Sequence, residues 1–359
     1  MSSTKFQELI PSTKKRTHIL AIRLSAMGDV AMAVPVIRTL VATYPQLKIT
    51  FLTRRFFVPM FNDIPNTQVY EADVNGVHQG VLGLGRLAKE LRNEGVEKVA
   101  DLHNVLRTNV LKSVFYFYGI PFQQIDKGRA EKKKLIQESI KNAVPLKSSV
   151  QRYADVFANL GFPIDLNDHV FPEKRALPNA IRRKIDTSKK IIGIAPFAQH
   201  QSKVYPVELM ENVLIELNNT QEYQIFLFGG GAVEKEQLQK WENQFECAIC
   251  VAGLLNFEEE LALLSNLDIM LSMDSGNGHM AAMYGVPVVT IWGVTHPFAG
   301  FVPFNQPLSN SILPNLEKYP KIPTSIYGNK YPDGYEKAIA SINPSEILKK
   351  IQTILLENR

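Results

Sequence analysis

A chain of 359 residues, 45% hydrophobic and 21% charged, has the composition of a globular protein with material for two domains, not of a disordered one. No apolar run approaches the ~18 residues of a membrane span, and the first ten residues, Met-Ser-Ser-Thr-Lys-Phe-Gln-Glu-Leu-Ile, lack a signal peptide's apolar core, so a cytoplasmic protein is expected. The net charge of +5 is modest, and no nucleic-acid partner is expected.

In chain order, short apolar or β-branched runs predict strands at His18–Leu24, Lys48–Arg54, Thr67–Glu71 and Val96–Leu102, with helical stretches between them. This half is basic in places. Residues 1–60 carry nine Lys or Arg (Lys5, Lys14, Lys15, Arg16, Arg23, Arg38, Lys48, Arg54, Arg55) against Glu8 and Asp29, and Lys127, Arg129, Lys132, Lys133 and Lys134 form a second basic stretch. A charge run is ordinarily a solvated face; the alternative is a field that draws in anionic phospholipid or an anionic acceptor. The charged, proline-bearing segment Pro172–Lys189 has no strand pattern and is the best linker. Beyond it, predicted strands at Lys190–Ala195, Tyr223–Phe228, Ala248–Val251, Asp268–Met273 and Val286–Trp292 alternate with helices near Pro206–Leu217, Val233–Phe245, Phe257–Leu264 and Gly278–Tyr284. Such alternation predicts two parallel-sheet α/β domains, residues 1–175 and 176–343. The final segment, residues 344–359, holds a helix over Pro344–Glu357 with Ile347, Leu348, Ile351, Ile354 and Leu355 at helical spacing. Cys247 and Cys250, the only cysteines, form a lone C-x-x-C within a strand-like run, which favours a structural role over a zinc or redox site.

Four places carry chemistry. Asp29 follows Gly28 just past the first strand, where ligands of open α/β sheets bind; it either caps the next helix or acts on a ligand. Lys203 lies in the polar loop Gln199–Lys203 after the first strand of the second domain, solvated or in contact with phosphate. Gly229-Gly230-Gly231 with Glu234 ends another strand but lacks the G-x-G-x-x-G of a dinucleotide fingerprint. The most informative stretch is residues 271–297, where an apolar run ends at Met273, Asp274-Ser275-Gly276-Asn277 follows, and a helix leads into a second apolar run. Free backbone N–H groups and the helix dipole at such a turn suit an anion such as a diphosphate, with Asp274, Ser275 and His279 beside it. The plainer interpretation is a βαβ connection capped by Asp274 or Ser275, with His279 structural.

The stretch Asp274-Ser275-Gly276-Asn277-Gly278-His279 resembles the D-[ST]-G-x-x-H motif of glycosyltransferase family 9, the lipopolysaccharide heptosyltransferases. Ile19–Val30, containing Arg23-Leu24-Ser25-Ala26-Met27-Gly28-Asp29, is similar to the family's opening strand and R-x-S-x-x-G-D turn. Asp101–Thr108 looks like its D-x-Q-G-x-x-[RK]-S stretch, with His103 in place of Gln and Asn104 in place of Gly. Lys203 with Tyr205-Pro206 resembles its K-x-[WY]-P element, and Lys337-Ala338-Ile339 with Ile342-Asn343-Pro344 its ending; the late cysteines of many relatives are missing from Ser309–Lys337.

The resemblance implies the GT-B architecture, two Rossmann-like domains facing a central cleft, with the C-terminal helix crossing back to the first domain. It implies inverting transfer of a sugar, heptose by family name, from an ADP-sugar donor to an anionic glycolipid acceptor at the cytoplasmic face of the inner membrane. Asp29 then matches the catalytic base and Lys203 the diphosphate-binding lysine; Asp274, Ser275, Gly276, His279, Gly230 and Glu234 hold the donor, Glu234 through its ribose. Arg23, Ser25, Gly28, Asp101 and Arg107 fall on the acceptor side. No Asp-x-Asp is present, Asp73-Val74-Asn75 being the nearest, so a metal-independent reaction is expected, with cations and a helix dipole carrying the phosphate charge. The alternatives are a GT-B enzyme with another donor, a sugar epimerase, or a non-catalytic or redox nucleotide-binding protein in which Asp29 is a cap.

Overall fold

The computed structural model describes residues 16–357. Strands β1 (His18–Ile22), β2 (Lys48–Thr53), β3 (Thr67–Glu71), β4 (Lys98–Asp101) and β5 (Phe122–Gln124) form one parallel sheet in the order β3-β2-β1-β4-β5. Strands β6 (Lys190–Ala195), β7 (Tyr223–Leu227), β8 (Ala248–Cys250), β9 (Ile269–Met273), β10 (Val288–Ile291) and β11 (Ser311–Ile312) form a second, ordered β11-β10-β9-β6-β7-β8. The crossovers are α1 (Met27–Thr43), α2 (Gly80–Asn93), α3 (Leu106–Phe117), α4 (Arg129–Leu135), α5 (Ser149–Asn159), α6 (Asn179–Arg182), α7 (Val207–Thr220), α8 (Ala232–Gln244), α9 (Phe257–Leu264) and α10 (Gly276–Ala282), and α11 (Pro344–Glu357) ends the described chain.

Central strands such as β1 (His-Ile-Leu-Ala-Ile) and β9 (Ile-Met-Leu-Ser-Met) are buried along their whole length, because helices cover both faces of a parallel sheet. That is why they read in the sequence as continuous apolar runs. Two of the three short edge strands, β5 and β11, were not legible, whereas β8 stood out through its apolar run Ala248–Val251.

In each sheet the chain winds outward from a first strand in both directions, so the strand order reverses between β1 and β4 and between β6 and β9. A crevice opens beyond the carboxyl ends of the strands at such a point. The segments that leave those four strands are the ones that carry the motif residues: Arg23–Asp29, Asp101–Asn104, the loop to Lys203, and Asp274–Gly276.

The two sheets are joined by an apolar seam. Helix α1 packs on α10, the 3-10 turn Arg55–Met60 packs on α9, and one buried cluster runs from Val34 and Ile37 to Met280 and Ala281. Polar links reinforce it: Leu146 N–H donates to the Phe298 carbonyl at 2.9 Å, Ser149 N–H to the Gly300 carbonyl at 2.8 Å, and the Asn62 amide to Glu258 at 3.4 Å. The expectation for the C-terminal helix needs correction. Helix α11 does not cross back; Ile347, Ile351, Ile354 and Leu355 pack on α7 and β9 of the second sheet, in a cluster with Ile192, Ile194, Leu214 and Leu217. Helical spacing of apolar residues defines a stripe to be buried, not which surface buries it.

Candidate active site

Between the carboxyl edges of the two sheets lies a cleft of about 670 Å³ with walls from both domains. Its first-domain wall is the N-terminal turn of α1, with Met27, Gly28, Asp29 and Met32; its second-domain wall includes Lys203, Gly230, Glu234, Asp274, Ser275, Gly276 and His279.

Asp29 is not the N-cap of α1. Ala26 occupies that position, and Asp29, at the third helical residue, accepts the Ala26 N–H at 3.2 Å. Its carboxylate is also ion-paired with the Arg23 guanidinium, a buried group that donates to the Leu102 carbonyl at 2.7 Å and lies over the Tyr153 ring. The side chain of Asp29 nonetheless keeps 27% of its surface exposed toward the cleft. Opposite it, Lys203 Nζ lies 3.2 Å from Asp274, whose same oxygen accepts the Thr295 hydroxyl at 2.8 Å. Both members of this pair are nearly buried, at 13% and 12% exposure, so their geometry is held by packing and not left to a mobile surface chain.

The walls meet at two glycines. A Cβ on Gly28 would stand 2.8 Å from His279 Cδ2 and 3.3 Å from Gly276 Cα, so glycine at position 28 lets the starts of α1 and α10 approach this closely. His279 is buried, burial holds its pKa below the usual imidazole range, and its Nδ1 has no partner among the described residues. Ser275 Oγ lies 3.1 Å from Ser272 Oγ. Glu234 accepts the Gly230 N–H at 2.8 Å, which ties the carboxylate to the loop after β7.

The other residues expected on the acceptor side stand apart from the cleft. Asp101 is fully buried; one oxygen accepts the N–H groups of His103 (2.9 Å) and Asn104 (3.0 Å) and the other the Gln124 amide (2.9 Å), so it braces the loop after β4. Arg107 is exposed on α3, and Ser25 is half-buried just before the first lining residue, Ala26. Asn104 adopts φ +46°, the left-handed region that glycine favours and asparagine tolerates, which explains how it substitutes for the expected glycine. His103, pressed by burial and by the charges of Arg23 and Lys127, titrates at about 3 and is neutral at physiological pH.

Several residues near the site carried no clear sequence signal. Lys132, in the second basic stretch, is turned inward over the Phe301 ring at 4.1 Å, and burial with repulsion from Arg152 lowers its pKa to about 8. Lys127 is likewise lowered by burial, while Asp29 pulls both lysines the other way. Arg129, Lys133 and Lys134 remain exposed, so that stretch is only in part a solvated face. Phe56 of the first domain stacks on Phe257 of the second, ring centroids 4.3 Å apart, and Glu260 lines the same end of the cleft. Cys247 and Cys250 are free and buried, with thiol pKa values raised by burial, as a structural pair should be. Among the described residues no three of His, Cys, Asp and Glu stand together as a metal site, and no helix is long and apolar enough to cross a membrane.

Two parallel-sheet α/β domains of GT-B type meet at this cleft, the fold of the family 9 structures it resembles. The family model for glycosyltransferase family 9 (heptosyltransferase) matches residues 84–331, and the chain belongs to that family. It is 25% identical to lipopolysaccharide heptosyltransferase 2 of Escherichia coli, over 94% of this chain and 99% of that protein. In three dimensions it resembles a glycosyl transferase family 9 protein from Veillonella parvula (TM-score 0.72, 21% identity, 96% and 98% of the chains covered). It also resembles E. coli heptosyltransferase WaaC solved with ADP-2-deoxy-2-fluoro heptose (TM-score 0.64, 15% identity, 94% and 99% covered).

Proposed function

We propose that this chain transfers heptose from an ADP-activated donor to a lipopolysaccharide inner-core or related glycolipid acceptor, with inversion and without a metal. The observation that carries the reading is the opposition of two held groups across one cleft, the Asp29 carboxylate oriented by Arg23 and the Lys203 ammonium oriented by Asp274. Displacement at an anomeric carbon needs both: a base to take the attacking hydroxyl's proton and positive potential for the departing diphosphate. Asp29 accepts the proton as the acceptor oxygen bonds to the anomeric carbon, and the bond to the diphosphate oxygen breaks on the opposite face. Lys203 and the backbone donors of the Asp274–Asn277 turn stabilise the charge that the leaving group gains. Gly230 and Glu234 are suited to the donor ribose. The exposed Arg54 and Arg55, beside the cleft-lining Phe56, favour an anionic acceptor entering from the first domain, at the cytoplasmic face of the inner membrane.

The test is transfer from ADP-heptose to a heptose-free inner-core acceptor in EDTA, read by mass spectrometry. One added heptose per acceptor is expected. Activity lost in EDTA and restored by Mg²⁺ would overturn the metal-free reading, and transfer only from UDP- or GDP-sugars the choice of donor.

A further inference from the structure

From Lys203 and the Asp274 turn, the cleft continues past Gly229, Gly230 and Glu234 after β7 to Gly253 after β8, and then to Phe257 and Glu260 on α9. The strand order β9-β6-β7-β8 sets these segments in a row. Three strand spacings cover roughly 14 Å, comparable with an extended nucleoside diphosphate. With the phosphates at Lys203 and the ribose at Glu234, the base falls at the Gly253–Glu260 end.

That end is apolar with one ionisable group. Phe56 stacks on Phe257, Met32 lies in the same wall, and the Glu260 carboxylate has no ion pair or hydrogen bond among the described residues. A glutamate in the first turn of a helix ordinarily faces water, where the dipole favours its charge. Glu260 instead lines the cleft, and burial alone lifts its pKa to about 7. Neighbouring charges do not account for this. On its own helix Glu258 accepts the Asn62 amide and Glu259 the Asn256 N–H; the 3-10 turn packed on α9 brings the exposed Arg55, with Arg54 before it; α10 brings His279, held neutral by burial; and Lys235 Nζ stands against Gly253. A carboxyl group in such a wall is most stable as the neutral acid, or with a ligand that completes its hydrogen bonds.

We propose that Glu260 reads the base of the donor nucleotide, its acid form donating to a ring nitrogen of adenine while its carbonyl oxygen accepts from the exocyclic N6 amine. Adenine presents that acceptor and donor side by side, the pattern an amide side chain also satisfies. The proposal rests on the donor site described above and adds to it the residue that selects the base.

Titration calorimetry on the full chain tests it with two probes, ADP and purine riboside 5′-diphosphate, which lacks the N6 amine. Glu260→Ala weakens ADP roughly tenfold, the scale of two net hydrogen bonds, and weakens the deamino probe only about threefold, because that probe keeps the ring nitrogen but lacks the N6 amine. Glu260→Gln, which keeps the donor and acceptor, binds ADP within about twofold of the parent at pH 7. Because the acid is the binding form, parent affinity for ADP falls relative to Glu260→Gln as pH rises above 7, levelling off at about the tenfold lost in Glu260→Ala. Equal losses for both probes in Glu260→Ala, or a Glu260→Gln protein as weak as Glu260→Ala with a flat pH ratio, overturns the proposal. Lys203→Ala tells the two levels apart: it weakens both probes alike if the cleft is the donor site, and no effect on either removes the donor site itself.

Discussion

The second domain presents its polar side chains to the cleft, whereas the first domain turns most of its own inward. Lys203, Glu234, Asp274, Ser275 and His279 all line the cavity. In the first domain Asp101 is buried with both oxygens occupied, Arg107 faces solvent, and Arg23 reaches the cleft only through its ion pair with Asp29. One wall is therefore a row of polar side chains, and the other presents a single carboxylate in the first turn of α1. A nucleotide diphosphate, with fixed charge and shape, suits the first kind of wall. An acceptor that is a large glycolipid can be held by broad surface charge, with only its nucleophile placed accurately.

The largest effect expected from this contrast is at Asp29. Asparagine keeps the oxygen that accepts the Ala26 N–H, so Asp29→Asn preserves the start of α1 while removing the base. Loss of a positioned base costs about 10²–10⁴ in rate, and kcat should fall by that factor while nucleotide Kd stays near the parent value. Transfer within a few-fold of the parent would mean that the carboxylate only closes the turn, and the first wall would then have no catalytic group.

Asp101 tests the same contrast through stability. Asp101→Ala leaves the His103 and Asn104 N–H groups without their acceptor and should cost about 2–3 kcal/mol, seen as a lowered midpoint in urea. Asp101→Asn retains an oxygen for those donors and should cost much less, with acceptor KM within twofold of the parent. A raised acceptor KM in a stably folded Asp101→Asn protein would restore Asp101 to direct contact with the acceptor.

The polar wall was also the more legible one. Asp274, Ser275 and Lys203 sit where an apolar run stops and small or polar residues begin, and at the carboxyl end of a parallel strand that break faces the crevice. Asp101 sits at the same kind of break, yet the local pattern does not say that Gln124, on the neighbouring strand β5, would occupy its second oxygen. Long-range choices of this sort were the ones missed: which surface α11 covers, the inward turn of Lys132, and the half-burial of Glu260 against the cleft. The buried strands, by contrast, were found nearly to the residue, because a parallel sheet covered on both faces writes its burial as an unbroken apolar run.

The smallest expected effect is at Arg54 and Arg55, and it tests whether the first wall recognises its ligand by field or by contact. Both are exposed, and neither is ion-paired among the described residues. Exposed charges act weakly, ~0.2–1 kcal/mol each, and over a screening length of about 8 Å at physiological ionic strength. Reversing both, Arg54→Glu with Arg55→Glu, should raise acceptor KM about three- to tenfold and leave donor Kd alone, since Lys203 and Asp274 lie on the opposite wall. The parent's acceptor KM should climb with added salt, and the variant's should climb less, because the attraction being screened is already gone. Equal sensitivity to salt in both proteins, with acceptor KM unchanged, would make these arginines an ordinary solvated face and shift acceptor recognition to the inward-turned cations, Lys127 and Lys132, whose charges reach Asp29 from the same domain.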